Sequence, residues 1–579
     1  MATQTTVQQA VLSLEQGRLG FIIRIGALAT LVIALVLLYL FVQFRGLADP
    51  SAMDQAQIAR NLASGKGFTT DIVTPRALAV MKEAGKIPKD GSPVDISALP
   101  DIYQSPLVPW LHSIPLSFIR SSWKMSPTDL VYAGDRLLAF VSMVFLLLSL
   151  VVWYFVFARL FDSKLALLSC AAVLVTDLVW QFSMSALPQM VLLLLFGVAS
   201  LLTVLAEEEQ AKGNFIKTVL FIAAAGLAFG LMILAHGLAA WIFFGWLIFA
   251  GIAFYPRGLV VFAGLGAGLL VVAPWLVRNY LECGNPFGIA ASGMLDSSTP
   301  YTGFLRLAEH ENTMSVRAAL RIGIINQLGS LSAYLGLNFA AAMFFGAILH
   351  RFRNEAASLF RWALLAMWVG AVVGMCFFRP SGDVSANQLH VLFLPGFICF
   401  GLAFLLVLWG RWDYPQPLLR TLFLSLVLFL CSVPMIMRLL GGPEGRVQWP
   451  PYIPPFIAVL GDWFDEEEMI GSDMPWAVAW YAQRHSLLLP QTVREFSQMH
   501  DYREFKQQLQ GLYLTPISGN QPLFSNIYKG RFSEWAPLIT RPPQTLGFPF
   551  SAFTALPVEG ECILFADRER WNRPRPVEE

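Results

Sequence analysis

Two aspartates stand where the chain first leaves a long apolar run, in "ADPSAMDQAQIARNLASGKGFTT" (Ala48–Thr70). A carboxylate such as Asp49 or Asp54 can take a proton from a reacting hydroxyl. Either can equally serve the helix that follows, Asp49 (or Ser51) as N-cap and Asp54 against the N-terminal dipole. A second candidate group lies in "APWLVRNYLECGNPFG" (Ala273–Gly288), where Arg278 and Asn279 emerge at the end of another apolar run. An arginine at headgroup depth can neutralise a phosphate, or anchor the interface beside Trp275 and Tyr280. The two aspartates could also hold a divalent ion together with a substrate phosphate. The six cysteines (170, 283, 376, 399, 431, 562) lack CxxC spacing, which points to buried apolar side chains rather than a zinc site or a disulfide framework.

These groups must be positioned by membrane helices. Of 579 residues 56% are hydrophobic and 14% charged, against roughly 25% charged in soluble domains. The formal net charge is +1, and no long basic tract suggests nucleic acid. Runs of suitable length occupy 21–44, 134–159, 164–181, 187–205, 216–235, 237–255, 258–277, 329–349, 359–379, 389–410 and 418–440, an expectation of eleven spans. The first reads as a retained anchor behind a polar cytoplasmic segment, 1–20. With that segment inside, every short cytoplasmic connection carries a cation (Arg159 and Lys164; Lys212 and Lys217; Arg257; Arg351 and Arg353; Arg411). Segments 45–133, 278–328 and everything after about 441 then fall outside.

Within the first outer segment, the spacing of Met53, Ala56, Ala59 and Ala63 predicts a helix lying along the membrane surface, stopped by Gly65-Lys66-Gly67. "DIYQSPLVPWLHSIPLSFI" (Asp101–Ile119) is too short and proline-rich to span and reads as interfacial or re-entrant. In the tail, strand-like "SLLLP", "GLYLTP" and "ECILFA" alternate with helical "TVREFSQMHDYREFKQQLQ". The expected architecture is an all-α polytopic core, 21–440, carrying a small exoplasmic α/β domain, 441–579.

In order and sidedness, "IARNLASGKGF", "SPLVPWL", "GDRLLAFVSMV", "LFDSKLALLSCAAVLVT" and "PWLVRNYLECGNPF" together resemble the GT-C glycosyltransferases, in the protein O-mannosyltransferase and aminoarabinose transferase branch. The resemblance implies an enzyme of the bacterial inner (plasma) membrane. It would move a sugar from a polyprenyl-phosphate donor to a hydroxyl acceptor on the outer face. A first-loop Asp would be the base; Arg278, and more weakly His236 and His390, would hold the departing phosphate. The register of the family's Asp falls on Ser51. Asp49 would need a short insertion, whereas Asp54 keeps the helix ungapped and moves the carboxylate about one turn, so Asp54 is preferred. Gln189 stands where relatives tend to be acidic. Ser51 and Gln189 are the features favouring the alternative, a non-catalytic scaffold of the same fold. A transporter of lipid-linked substrates is less favoured, because the spans carry almost no mid-membrane charge.

Overall fold

In the computed structural model the described residues are 18–88, 92–126, 129, 131–296, 303–308, 313–411, 416–441, 454–501, 503–515, 533–540, 548–556 and 562–571. The expected cytoplasmic segment 1–20 lies almost wholly outside them, as do parts of the tail. The described residues up to Arg45 form a unit of their own: helix α1 (Arg18–Leu37), continued by π-helical turns over Leu38–Gln43.

The remainder begins with the segment expected to lie outside (the first outer segment), which supplies α2 (Pro50–Ser64), α3 (Pro75–Glu83) and α4 (Leu107–Phe118). The apolar core follows as α5 (Ala133–Leu160), α6 (Ser163–Leu174), α7 (Asp177–Met184), α8 (Gln189–Ala211), α9 (Phe215–Ala235), α10 (Ala239–Ala253) and α11 (Arg257–Cys283). It ends with α12 (Val316–Gly329), α13 (Glu355–Phe377), α14 (Leu394–Arg411) and α15 (Pro417–Leu440). Among the described residues seven helices are long and apolar enough to cross a membrane, or eight if the pair α6–α7, bent by 62°, counts as one span. The chain is an integral membrane protein.

Four of the eleven expected spans are not among the seven. Run 21–44 is α1 with its π-helical continuation, whose apolar part, Ala29–Gln43, is shorter than a span among the described residues. Run 164–181 is the bent pair, broken at Val175–Thr176. Run 237–255 is the 15-residue α10, separated from α9 at His236, whose backbone is extended. Run 329–349 breaks into one-turn helices, because Gly336 and Leu337 take left-handed backbone (φ 64° and 52°) and Asn338 caps a new start. Hydropathy cannot register such a break, since every residue around it is apolar or small.

The sheet has six strands: β1 (Ile72–Val73), β2 (Glu468–Ser472), β3 (His485–Leu488), β4 (Gln508–Leu514), β5 (Ala552–Leu556) and β6 (Cys562–Ala566). Their order is β1-β3-β2-β4-β6-β5. The first four run parallel and β6 pairs antiparallel with both β4 and β5. The tail does not build this sheet alone: β1 comes from the first outer segment and pairs Ile72 with Ser486 and Val73 with Leu487. The helical reading of 492–510 holds only for α16 (Val493–Asp501), because Gln508–Gln510 open β4 against Glu468 and Met469.

Core packing relies on close backbone approach. A methyl group on Gly226 of α9 would lie 2.2 Å from the Gly264 carbonyl oxygen of α11. One turn on, Gly230 meets Gly268 in the same way, at 2.8 Å. Small residues at such spacing let membrane helices gain dispersion contact. Gly266, on another face of α11, has nothing within 4 Å. Gly226→Ala should therefore lower the melting temperature of the detergent-solubilised protein, with an overpacking cost of about 1–3 kcal/mol. Gly266→Ala should leave it unchanged or slightly raised; equal effects at both positions would contradict this packing.

Candidate functional site

Asp49 caps α2: its carboxylate accepts the Ser51 N–H at 2.8 Å, Pro50 occupies the first helical position, and Gly65, left-handed at φ 87°, ends the helix. Ser51 is buried and its Oγ accepts from Gln55. The helix does not lie on a surface, contrary to expectation. Gln55, Gln57, Arg60 and Asn61 are buried along with the alanines, because α2 is wedged between α4 and residues 475–482. Its polar side chains look inward to one another and to the chain segments on either side.

Arg60 makes the largest of these connections. Its guanidinium donates to the carbonyls of Trp480 (2.7 Å) and Ala479 (2.6 Å), faces the Asp71 carboxylate at 3.6 Å and lies over the Trp480 ring. From the other side, Asp135 at the start of α5 accepts Trp480 Nε1 (2.6 Å), Tyr481 Oη (2.8 Å) and the Leu47 N–H (3.3 Å). Residues 475–481 are thereby fastened over the first outer segment.

Between them is a cleft with a cavity volume of about 40 Å³, lined among others by Asp54, Thr70, Asp101, Tyr103, Leu305 and Trp476. Asp54 is half-buried; Oδ1 accepts Gln57 Nε2 (3.1 Å) and Oδ2 accepts Gln104 Nε2 (2.5 Å). Gln104 is aimed by Asp101, whose Oδ1 accepts the N–H groups of Tyr103 (3.0 Å) and Gln104 (2.7 Å). Burial raises the pKa of Asp54 above the ordinary 3.8, and the neighbouring Asp101 carboxylate raises it further. Burial also raises Asp101, but the Gln104 N–H, Arg278 and the Tyr103 N–H pull it back. Asp101 is therefore the carboxylate that ionises first, and Asp54 the one held back as the stronger base.

Arg278 reaches the rim of this site. Its Nη1 donates to the Asp101 carbonyl and its Nη2 to Phe68 O at 3.4 Å, and the guanidinium stacks near Trp275 and Phe68. Asp54 and Asp101 line the cleft, and Arg278 is tied to it through the Asp101 backbone carbonyl. Arg278 itself, Asp49 and the two histidines are not among the residues lining the cleft. His236 Nδ1 accepts the Leu238 N–H at the break between α9 and α10. His390 is buried against Tyr334 and its Nδ1 accepts Trp368 Nε1 at 3.1 Å, leaving the hydrogen on Nε2. Gln189 donates to the carbonyls of Ser385, Ala386 and Gln388, holding the turn that leads to His390.

Among the described residues no three or more His, Cys, Asp or Glu gather as metal ligands. Both Asp54 oxygens already face amide N–H donors, a setting that suits a carboxylate's charge better than a cation's ligand shell. Asp101 and Gln104 were missed in the sequence. The signal for them was two polar side chains three apart at the head of an otherwise apolar segment.

The fold has a counterpart of known structure. The crystal structure of ArnT from Cupriavidus metallidurans in the apo state superposes with a TM-score of 0.54 over 95% of this chain and 100% of that one, at 13% identity. The chain has a GT-C fold. The archaeal oligosaccharyltransferase AglB from Archaeoglobus fulgidus, in complex with an inhibitory peptide and a dolichol-phosphate, gives a TM-score of 0.49 at 13% identity, covering 95% of this chain and 75% of that one. No family model and no curated protein matches the sequence. Within this GT-C fold, removal of Arg60 tests whether the C-terminal segment is held as described. Arg60→Met should cost about 1–3 kcal/mol, since it leaves two buried carbonyls without their donor and removes the cation facing Asp71, which keeps its hydrogen bond from Asn61. Limited proteolysis should then cut within 475–485 faster than elsewhere; an unchanged cleavage pattern would refute the assignment.

Proposed function

We propose that this chain is an integral membrane glycosyltransferase, moving a sugar from a polyprenyl-phosphate donor to a hydroxyl acceptor with Asp54 as general base. One observation carries the reading: in a GT-C fold, Asp54 rather than Asp49 lines a cleft shared with a second carboxylate, while Asp49 is engaged as a helix cap. The acceptor oxygen attacks the anomeric carbon, and the bond from that carbon to the phosphate oxygen breaks. The electron pair leaves with the lipid phosphate, and the acceptor proton passes to Asp54. Asp101 raises the basicity of Asp54, and Gln57 and Gln104 hold its direction. Arg278, fixed on the Asp101 carbonyl, offers positive charge to the departing phosphate. The two histidines, which do not line the cleft, are weaker phosphate-binding candidates; His390 Nε2 has no partner among the described residues. The cations of the short loops support an exoplasmic site, in a bacterial plasma membrane with the N-terminus cytoplasmic. On this reading the core is 21–440, and 441–579 is an exoplasmic region that helps choose the acceptor.

Mass spectrometry of co-purifying lipids tests the base. Asp54→Asn should accumulate a polyprenyl-phosphate sugar and lose turnover. Asp49→Asn should do neither, because asparagine caps a helix as well as aspartate. Trapping of the lipid by Asp49→Asn alone would reverse the assignment. The pairing with Asp101 has its own signature. The acid limb of the rate profile should lie above the ordinary carboxylate range, because Asp54 must lose its proton to act. Asp101→Asn removes the neighbouring negative charge, so it should move that limb to lower pH; movement to higher pH would contradict the electrostatic role.

A further inference from the structure

Trp476 belongs to the segment that closes the cleft, is 5% exposed and lines the cavity. Its indole Nε1 has no hydrogen-bond partner among the described residues. Two other large buried indoles of this region are satisfied: Trp480 donates to Asp135 and Trp535 to the Gln491 carbonyl. A buried N–H without an acceptor costs about 1–3 kcal/mol, and native structures hold few of them. Phenylalanine would cover the same wall without that cost, so packing alone does not account for tryptophan here.

The rest of the cleft indicates what would satisfy the donor. Polar groups are sparse and specific (Asp54, Asp101, Thr70, Thr74), and the other walls are aromatic or aliphatic, with Tyr103 and Leu305 among them. A volume of about 40 Å³ gives room for roughly three waters, or the edge of a sugar ring with one or two hydroxyls. A saccharide matches these walls: its C–H face suits the indole, and its hydroxyls can donate to carboxylates while another oxygen accepts an N–H. We propose that Trp476 is a sugar-recognition residue, whose indole N–H donates to an oxygen of a saccharide whose edge enters the cleft lined by Asp54. The proposal rests on the glycosyltransferase reading. The saccharide could arrive on the lipid donor or as a glycan acceptor.

The test uses the full chain in lipid nanodiscs, labelled with fluorotryptophan, with the Trp476 resonance assigned from Trp476→Phe. Probes are decaprenyl phosphate, decaprenyl-phosphate hexoses and pentoses, and free oligosaccharides. Binding of each is followed independently by native mass spectrometry. Movement of the Trp476 resonance with a sugar-bearing lipid but not with decaprenyl phosphate supports the proposal and assigns the donor sugar. Movement with an oligosaccharide alone supports it and assigns the acceptor, while leaving the lipid-donor reading to fail separately. In Trp476→Phe the dissociation constant for the responsive probe should rise several-fold to tenfold, with decaprenyl phosphate unaffected. Binding of a sugar-bearing probe without any movement of this resonance overturns the proposal while sparing the function. Absence of binding by every sugar probe overturns both. Because the resonance is read in the unmodified sequence, poor folding of the variant does not rescue the idea.

Discussion

A guanidinium taken out of water must be paid back locally, and Arg60 meets that demand with two backbone carbonyls, one carboxylate and an aromatic face. Its partners come from sequence positions more than four hundred residues apart. That single constraint brings the first outer helix and the C-terminal segment together, and the cleft exists only because they meet. Asp135 reinforces the junction by accepting from Trp480, Tyr481 and Leu47 at once. The strand pairing of Ile72–Val73 with β3 continues the same seam into the sheet. Membrane core, first loop and sheet are thus joined by buried polar contacts rather than by apolar area alone.

The same burial that makes Arg60 costly sets the acid–base character of the cleft. Two carboxylates in one partly dry space cannot ionise equally. The one nearer a cation and two backbone N–H groups gives up its proton first, and its charge strengthens the other as a base. Gln57 and Gln104 carry no charge, yet they decide where the Asp54 oxygens point. Gln57 also accepts the Asp71 N–H and donates to Thr70, so the orientation of Asp54 is coupled to the residues that Arg60 holds. Site geometry and interdomain attachment therefore share side chains.

At 13% identity to ArnT the chain keeps that fold. Gln189 holds three carbonyls of the turn before His390. An amide does this with its N–H groups, which a carboxylate lacks. Ser51 is buried and receives the Gln55 amide.

Much of the architecture was legible because lipid imposes a simple rule: long apolar runs must be helices, and their flanking cations lean one way. The helix after Asp49, its glycine stop, the capping alternative for Asp49, strands β3, β4 and β6 and the buried cysteines could all be read from residue type and spacing. The broken run at 329–349 could not, since left-handed backbone at Gly336 and Leu337 leaves no mark on hydropathy. Nor could the burial of Gln55, Gln57, Arg60 and Asn61, which local spacing assigns to water. Nor could the neighbours of Asp54 be read, since Gln104 and Asp101 lie some fifty residues away in the chain. Sequence alone determined where most of the long apolar helices run and that a carboxylate caps the helix after Asp49, because those properties depend on neighbours along the chain. Tertiary structure decided which carboxylate faces a cleft and how strong a base it is, because burial and electrostatic coupling depend on neighbours in space.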